Sequence, residues 1–197
     1  LPLQFGEYIG EKCFEIEEVC VATSTMSYGE YLECREFAFV SSLFSYLQFD
    51  VILKLVEEMK IDIHEYFVQF WELMKTCNSG LEGVCANFAK ETEEELWDSP
   101  EEIYVHFGKK DNYNKLLRRE VGDNLIRKYT TKVILEFFIP FVELAFVAIK
   151  KHTDQRNTTI MNILNAIKHW MICLRNVSAL FSNKSYISKE EILHLSF

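Results

Sequence analysis

The chain has 197 residues, with 21 Lys or Arg against 30 Asp or Glu, giving a formal net charge of −9. Hydrophobic residues make up 49 % and there are only 7 Gly and 3 Pro, which excludes a disordered or collagen-like chain because so much apolar surface must be buried. The length suits one domain with a sizeable core, or one domain plus an arm. The acidic balance argues against nucleic acid as a partner, since phosphate binding needs a basic face.

Residues 1–11 carry Pro2, Gly6 and Gly10 and read as a loop or arm. From Cys13 to Ala22 the pattern alternates: Phe14 and Ile16 lie between Glu15 and Glu17, then Val19 and Val21 flank Cys20. This predicts a β-strand. A lone strand leaves its backbone groups unpaired, so it is expected to join a sheet from elsewhere.

Ser27 and Glu30 then form a capping box that opens a helix running to about Gln48. Asp50 is read as the cap of a short helix to about Lys60. Asp62 and Glu65 frame another box, followed by Phe67, Phe70, Trp71 and Met74 at helical spacing. Ser79 and Glu82 frame the next, to about Trp97, and Ser99-Pro100-Glu101-Glu102 is a further start signal. A helix from Asp111 is interrupted by Gly122, and a long one follows from about Asp123 to Lys151, kinked at Pro140. The last long helix spans roughly Thr158 to Ser178. Beyond it, Ser188 and Glu191 suggest a short helix, or Ile192 to Phe197 a strand.

The expected fold is mainly α, a multi-helix bundle of about seven or eight helices with one N-terminal β-strand arm. Residues 1–26 are read as a connector arm with a β-strand and residues 27–197 as a helical domain. The apolar run from Val133 to Ile149 contains Glu136, Pro140 and Glu143, so a buried central helix suits it better than a membrane span. No signal-peptide pattern is read at Leu1, and both ends are expected to be cuts within a longer protein. Three Asn-x-Ser/Thr matches, at Asn157, Asn176 and Asn183, are taken as chance.

Candidate chemistry is sparse. Cys13, Cys20, Cys34, Cys77, Cys85 and Cys173 contain no Cys-x-x-Cys, so reduced, buried cysteines in a cytoplasmic protein are expected. His64, His106, His152, His169 and His194 are scattered. Glu136 and Glu143 lie seven residues apart and would share one helix face, but no Glu-x-x-His partner motif accompanies them; a solvated stripe is the simpler reading. Charge is segregated: residues 81–102 hold eight acids against Lys90 alone, and residues 109–132 hold eight bases against Asp111, Glu120 and Asp123. Either the basic stretch is a phosphate- or cofactor-contact surface, or the two stretches pack near each other and compensate. Compensation is the simpler alternative.

The stretch Phe5-Gly6-Glu7-Tyr8-Ile9-Gly10-Glu11 and its continuation from Glu17 to Tyr31 resembles the segment after the catalytic barrel in radical SAM proteins that carry an N-terminal cobalamin-binding domain. In that family an acidic, Val-rich strand leads into Thr-x-Ser/Thr-Met-Ser, an acidic residue and Tyr, then an Arg before aromatic residues. Here these are Thr23, Thr25, Met26, Ser27, Glu30, Tyr31, Arg35 and Phe37. Gly122-Asp123-Asn124-Leu125 followed by Tyr129 is similar to a later element. The resemblance is good over residues 5–45 and thin elsewhere.

The resemblance implies a parent enzyme that binds S-adenosylmethionine, a [4Fe–4S] cluster and cobalamin through upstream domains. This chain would be its C-terminal accessory helical domain, inactive alone, capping the barrel and shaping the substrate site. Its partners would then be the radical SAM barrel and cobalamin domain of the same parent chain, with no nucleic acid and no membrane. The cluster motif Cys-x-x-x-Cys-x-x-Cys does not occur among these residues, so no catalytic, cofactor-binding or metal residue is carried over. The family-motif residues Thr23, Thr25, Met26, Ser27, Glu30, Tyr31 and Arg35 remain as docking candidates. Arg35 reads either as a partner for an acidic substrate or phosphate, or as a clamp onto Glu17 or Glu18. The alternative to the whole reading is a stand-alone helical protein-interaction module without catalytic activity.

Overall fold

The computed structural model describes residues 2–46, 49–122 and 124–174. The fold is mainly α with strands at the N-terminus, as the sequence predicts, and nine helices are present among the described residues. Strand β1 (Gln4–Tyr8) pairs antiparallel with β2 (Glu11–Glu15), in a register that sets Phe5 opposite Phe14 and Tyr8 opposite Glu11. The expected lone strand over residues 13–22 is thus half of a local hairpin. Its partner lies in residues read as a loop, because Gly6 interrupts the alternation of Phe5, Glu7 and Tyr8. Ile9 and Gly10 form the two-residue turn with φ of 51° and 82°. Residues 16–22 leave the ladder.

Helix α1 (Tyr28–Leu43) starts where the Ser27–Glu30 box places it and stops before the predicted end. Helix α2 (Asp50–Glu58) begins with Asp50 as its first residue; Phe49 holds the cap position without a side-chain bond. Asp50 instead pairs with Lys54 at 3.0 Å. Helix α3 (Ile63–Thr76) is capped by Asp62, whose carboxylate accepts from the Glu65 N–H at 2.9 Å.

Helix α4 (Leu81–Glu94) starts one residue later than a Ser79 cap would give, with the Glu82 carboxylate accepting from the Gly80 N–H at 2.9 Å. Helix α5 (Pro100–Gly108) is capped by Ser99, which accepts from the Glu102 N–H at 3.3 Å. Helix α6 (Lys110–Leu117) follows directly.

The predicted long helix is two helices, α7 (Leu125–Glu136) and α8 (Phe138–Lys151), with the break at Phe137. Pro140 therefore lies in the first turn of α8, where a missing N–H costs nothing, and it kinks no helix. The break also puts Glu136 and Glu143 on different helices, which dissolves their expected common face. Helix α9 (Thr158–Leu174) is capped by Asn157, which accepts from the Ile160 N–H at 3.2 Å. The expected extension of this helix to Ser178 and the expectations for residues 179–197 lie outside the described residues.

The chain divides into two compact units, each built from two separate stretches. Unit 1 combines residues up to Phe39 with Ala86–Tyr129; unit 2 combines Val40–Cys85 with residues from Thr130 onward. In unit 1, Phe14, Ile103, Phe107, Tyr113 and Leu116 form a buried cluster, with Phe5, Ile16, Trp97 and Val121 packed against it. The hairpin is tied in by the Tyr104 hydroxyl, which donates to the Phe14 carbonyl at 3.1 Å, and by the Lys12 ammonium, which donates to the Gly108 carbonyl. A second aromatic group stacks Phe39 on Phe88 at 4.5 Å, with Tyr129 edge-on to both.

Unit 2 is organised on α8, which buries Phe138, Phe141, Val142, Ala145, Phe146, Ala148 and Ile149. Phe141 meets the rings of Phe44, Phe49 and Phe70 at 5.1, 4.3 and 5.1 Å. Each such ring contributes about 1.5–3 kcal/mol by leaving water. Gly80 has φ of +91°, and a Cβ there would stand 2.5 Å from the Phe137 ring, so the α3–α4 turn admits only glycine. Among the described residues no helix is long and apolar enough to cross a membrane.

None of the six cysteines forms a disulfide among the described residues. Only Cys85 is buried, whereas Cys13, Cys20 and Cys34 are exposed, which corrects the expectation that they fill the core.

Candidate functional site

The acidic and basic stretches of the sequence meet within unit 1, where they line a cleft of about 440 Å³. One wall descends from α4. Glu91 stands on its last turns and accepts the Tyr129 hydroxyl at 2.8 Å and the Lys128 ammonium at 2.5 Å. Burial first, and then the bond to Glu91, push the Tyr129 hydroxyl well above the usual phenol range. Glu95 follows, its N–H bonded to the Glu91 carbonyl at 3.0 Å. It is the most perturbed carboxylate of the site: burial raises it from 4.5 to about 7, against the attraction of Arg35 and Lys128 and with the help of Glu91.

The second wall is aromatic. Ser99 and Pro100 fix the start of α5 and so place His106 and Phe107 on its last turn. Trp97 packs on both rings, at 4.8 Å from His106 and 5.8 Å from Phe107. The Asn112 amide donates to the His106 carbonyl at 3.0 Å. Burial, followed by the nearby Lys109 and Lys115 charges, holds the imidazole below its ordinary range.

The rim comes from the end of α6. Arg119 donates its N–H to the Leu116 carbonyl at 3.0 Å, and Glu120 donates to the Lys115 carbonyl at 2.9 Å. This is a Schellman turn with Arg119 at the left-handed position, φ 55°, where glycine is usual. Gly122 turns the chain back with φ +79°, Asn124 caps α7 by accepting from the Arg127 N–H at 3.0 Å, and Leu125 closes the floor.

The family-motif residues are arranged differently. The Thr23 hydroxyl accepts the N–H groups of Thr25 and Met26 at 3.2 and 3.0 Å, and the Thr23 N–H donates to the Met26 carbonyl at 2.8 Å. The Ser27 N–H donates to the Glu30 carboxylate at 2.7 Å while the Ser27 hydroxyl accepts from the Glu30 N–H at 3.3 Å. The Ser27 N–H, and after it the Ser27 hydroxyl donating to the same carboxylate at 2.8 Å, lower the Glu30 carboxyl. Tyr31 begins the helical ladder on Ser27 and stacks on Tyr28 at 6.4 Å. Thr23, Thr25, Met26, Ser27 and Glu30 thus form one hydrogen-bonded entry to α1, and none lines the cleft.

Arg35 alone of the motif residues reaches the cleft's electrostatics: its charge acts on Glu95, and its Nε is buried without an acceptor. It makes no ion pair with Glu17 or Glu18 among the described residues. Trp97 was legible only as a helix end, and Glu95, His106, Lys115 and Arg119 only as members of charge runs or of a scattered set.

A second hollow, about 560 Å³, lies in unit 2 beside His64, Gln69, Glu72, Lys151 and His152. Among the described residues no group of three or more His, Cys, Asp or Glu side chains is placed to hold a metal ion. An iron–sulfur cluster needs clustered thiolates, a donor set these residues do not offer. No protein-family model, curated protein or solved structure matches the chain.

Proposed function

We propose that this chain is the C-terminal accessory helical region of a radical SAM enzyme, capping a catalytic barrel and shaping the substrate site beside it. In this reading S-adenosylmethionine, the [4Fe–4S] cluster and cobalamin are held by other domains of the same polypeptide, in the cytoplasm. The observation that carries the reading is a coincidence of location. The motif residues from Phe5 to Tyr31, with Arg35 and Phe37, fall in the same compact unit as Gly122–Tyr129, although more than eighty residues separate the two stretches. That unit also holds the polar cleft. Two further features support it. Tyr8 and Ile9 are 72 % and 85 % exposed at the hairpin tip and offer an apolar contact to a neighbouring domain. The exposed thiols of Cys13, Cys20 and Cys34 suit a reducing compartment. The radical chemistry would belong to the cofactors; the residues described here would position and shield.

The test begins with the reading frame upstream of Leu1. A Cys-x-x-x-Cys-x-x-Cys motif there, and the charge-transfer absorbance of a cluster after anaerobic reconstitution of the longer protein, support the proposal. Residues 1–197 treated in the same way should stay colourless. A frame that encodes no such motif overturns it.

A further inference from the structure

We propose that the unit 1 cleft is a binding site for a small planar anion, a flat ring bearing a carboxylate or phosphate, with Lys115 and Arg119 taking the anionic group and Trp97 and His106 forming the wall against which the ring packs. The inference goes beyond the radical SAM reading and does not depend on it. A volume of about 440 Å³ is that of an ordinary small-molecule site.

Four carboxylates and three cations line the cleft, so its preference is decided by which charges are already engaged. Glu91 is bonded to Lys128 and Tyr129. Glu120 pairs with Arg118 at 3.3 Å, and Glu94 with Lys90 at 3.7 Å. Burial keeps Glu95 partly protonated near neutrality. On the other side, Lys128 is taken by Glu91, whereas Lys115 and Arg119 pair with no carboxylate among the described residues. Two cations of the cleft are thus left without a carboxylate partner among the described residues, and burial first, then the Lys109 and Lys115 charges, lower the neighbouring His106 imidazole.

The shape of the ligand follows from the wall. Trp97, His106 and Phe107 are mutually packed rings on one side of a concave site, which favours a flat partner over a branched one. Arg119 sits on a turn whose left-handed backbone glycine would adopt without strain. A guanidinium at that place supplies a planar fork for an oxyanion.

The same turn permits a clean experiment. Lys60 occupies the equivalent left-handed position after α2, in unit 2, with φ 55°. Pyridine-3-carboxylate and adenosine monophosphate serve as probes of the two anionic groups, with pyridine-3-carboxamide as the neutral control, titrated by calorimetry against the whole chain. At least one acid should bind at least about tenfold more tightly than the amide, the effect of one charge-assisted contact. Which acid binds better identifies the anionic group. Arg119→Gly should weaken that acid by about tenfold while leaving the fold intact, and Lys60→Gly should leave binding unchanged. Trp97→Phe, which keeps a ring, should retain more affinity than Trp97→Leu. Equal binding of acid and amide, no binding of either acid, or equal losses in Arg119→Gly and Lys60→Gly would each overturn the proposal.

Discussion

In unit 2 the aromatic rings turn toward one another: Phe44, Phe49, Phe70 and Phe141 share a centre, and the buried Tyr66 hydroxyl donates to the Ala145 carbonyl at 3.3 Å. Desolvation pushes that hydroxyl far above the usual phenol range, so it stays a donor. In unit 1 the rings of Trp97 and His106 stand at the edge of a cleft, among charges. The same residue class fills a core in one place and lines a site in the other. What separates them is the neighbouring sequence. The rings of α8 lie in an almost uncharged run, whereas Trp97 and His106 lie between an acidic and a basic stretch that must find each other or remain solvated.

The largest effect should come from the core that has no other task. Phe141→Ala removes a ring from the centre of three others and should cost about 3–5 kcal/mol in equilibrium urea unfolding. Phe14→Ala, in the smaller cluster of unit 1, should cost less and should chiefly raise hydrogen exchange over residues 11–15. Equal losses at the two sites would erase the distinction between the units.

The cleft should show itself in the pH dependence. Glu95 is raised in the folded state, from 4.5 to about 7, so the folded chain binds its proton more tightly than the unfolded one. The stability this contributes is complete below about pH 4.5 and is lost as pH rises through about 7. Because Glu95 is only half-buried, solvent screening reduces the effect to the order of 1 kcal/mol. Glu95→Gln should flatten the pH profile of the urea midpoint between those limits; an unchanged profile would place the titration elsewhere.

The entry to α1 gives an effect of similar size. Ser27→Ala removes the acceptor of the Glu30 N–H and should cost about 1 kcal/mol, with Ser27→Thr, which keeps the hydroxyl, restoring most of it. Smaller still are the two left-handed cations. Lys60→Gly and Arg119→Gly should each stabilise the chain by up to about 1 kcal/mol, read as a raised melting temperature. Only the second should touch the cleft.

What the sequence made legible was local. Ser27, Asp62 and Ser99 announce their helices because a cap and its partner lie three residues apart. The apolar run around Phe141 announces a buried helix for the same reason. The hairpin partner was hidden by Gly6, which carries no side chain to mark the alternation. The break at Phe137 was hidden because Pro140 drew attention to itself, although proline belongs in a first turn. The cleft was legible only as two charge runs. Nothing in the spacing of Glu95, Trp97, His106 and Arg119 says that three helices and a turn will bring them to one place.

The interleaving of the two units bears on how the chain is made. When the ribosome has released the hairpin and the first turns of α1, unit 1 lacks its second stretch, and the whole of Val40–Cys85 must emerge before Ala86 does. Phe5 and Phe14 therefore wait, their apolar faces uncovered, for Phe107 and Tyr113, while unit 2 in turn waits for α8. A nascent chain halted before Tyr129 has emerged carries two half-built cores and no finished one. Trimming from the N-terminus as far as Phe39 removes only the first stretch of unit 1, and trimming from the C-terminus as far as Thr130 removes only the second stretch of unit 2, so each end reports on one unit, whereas separating the units whole requires cutting and rejoining the chain at internal sites.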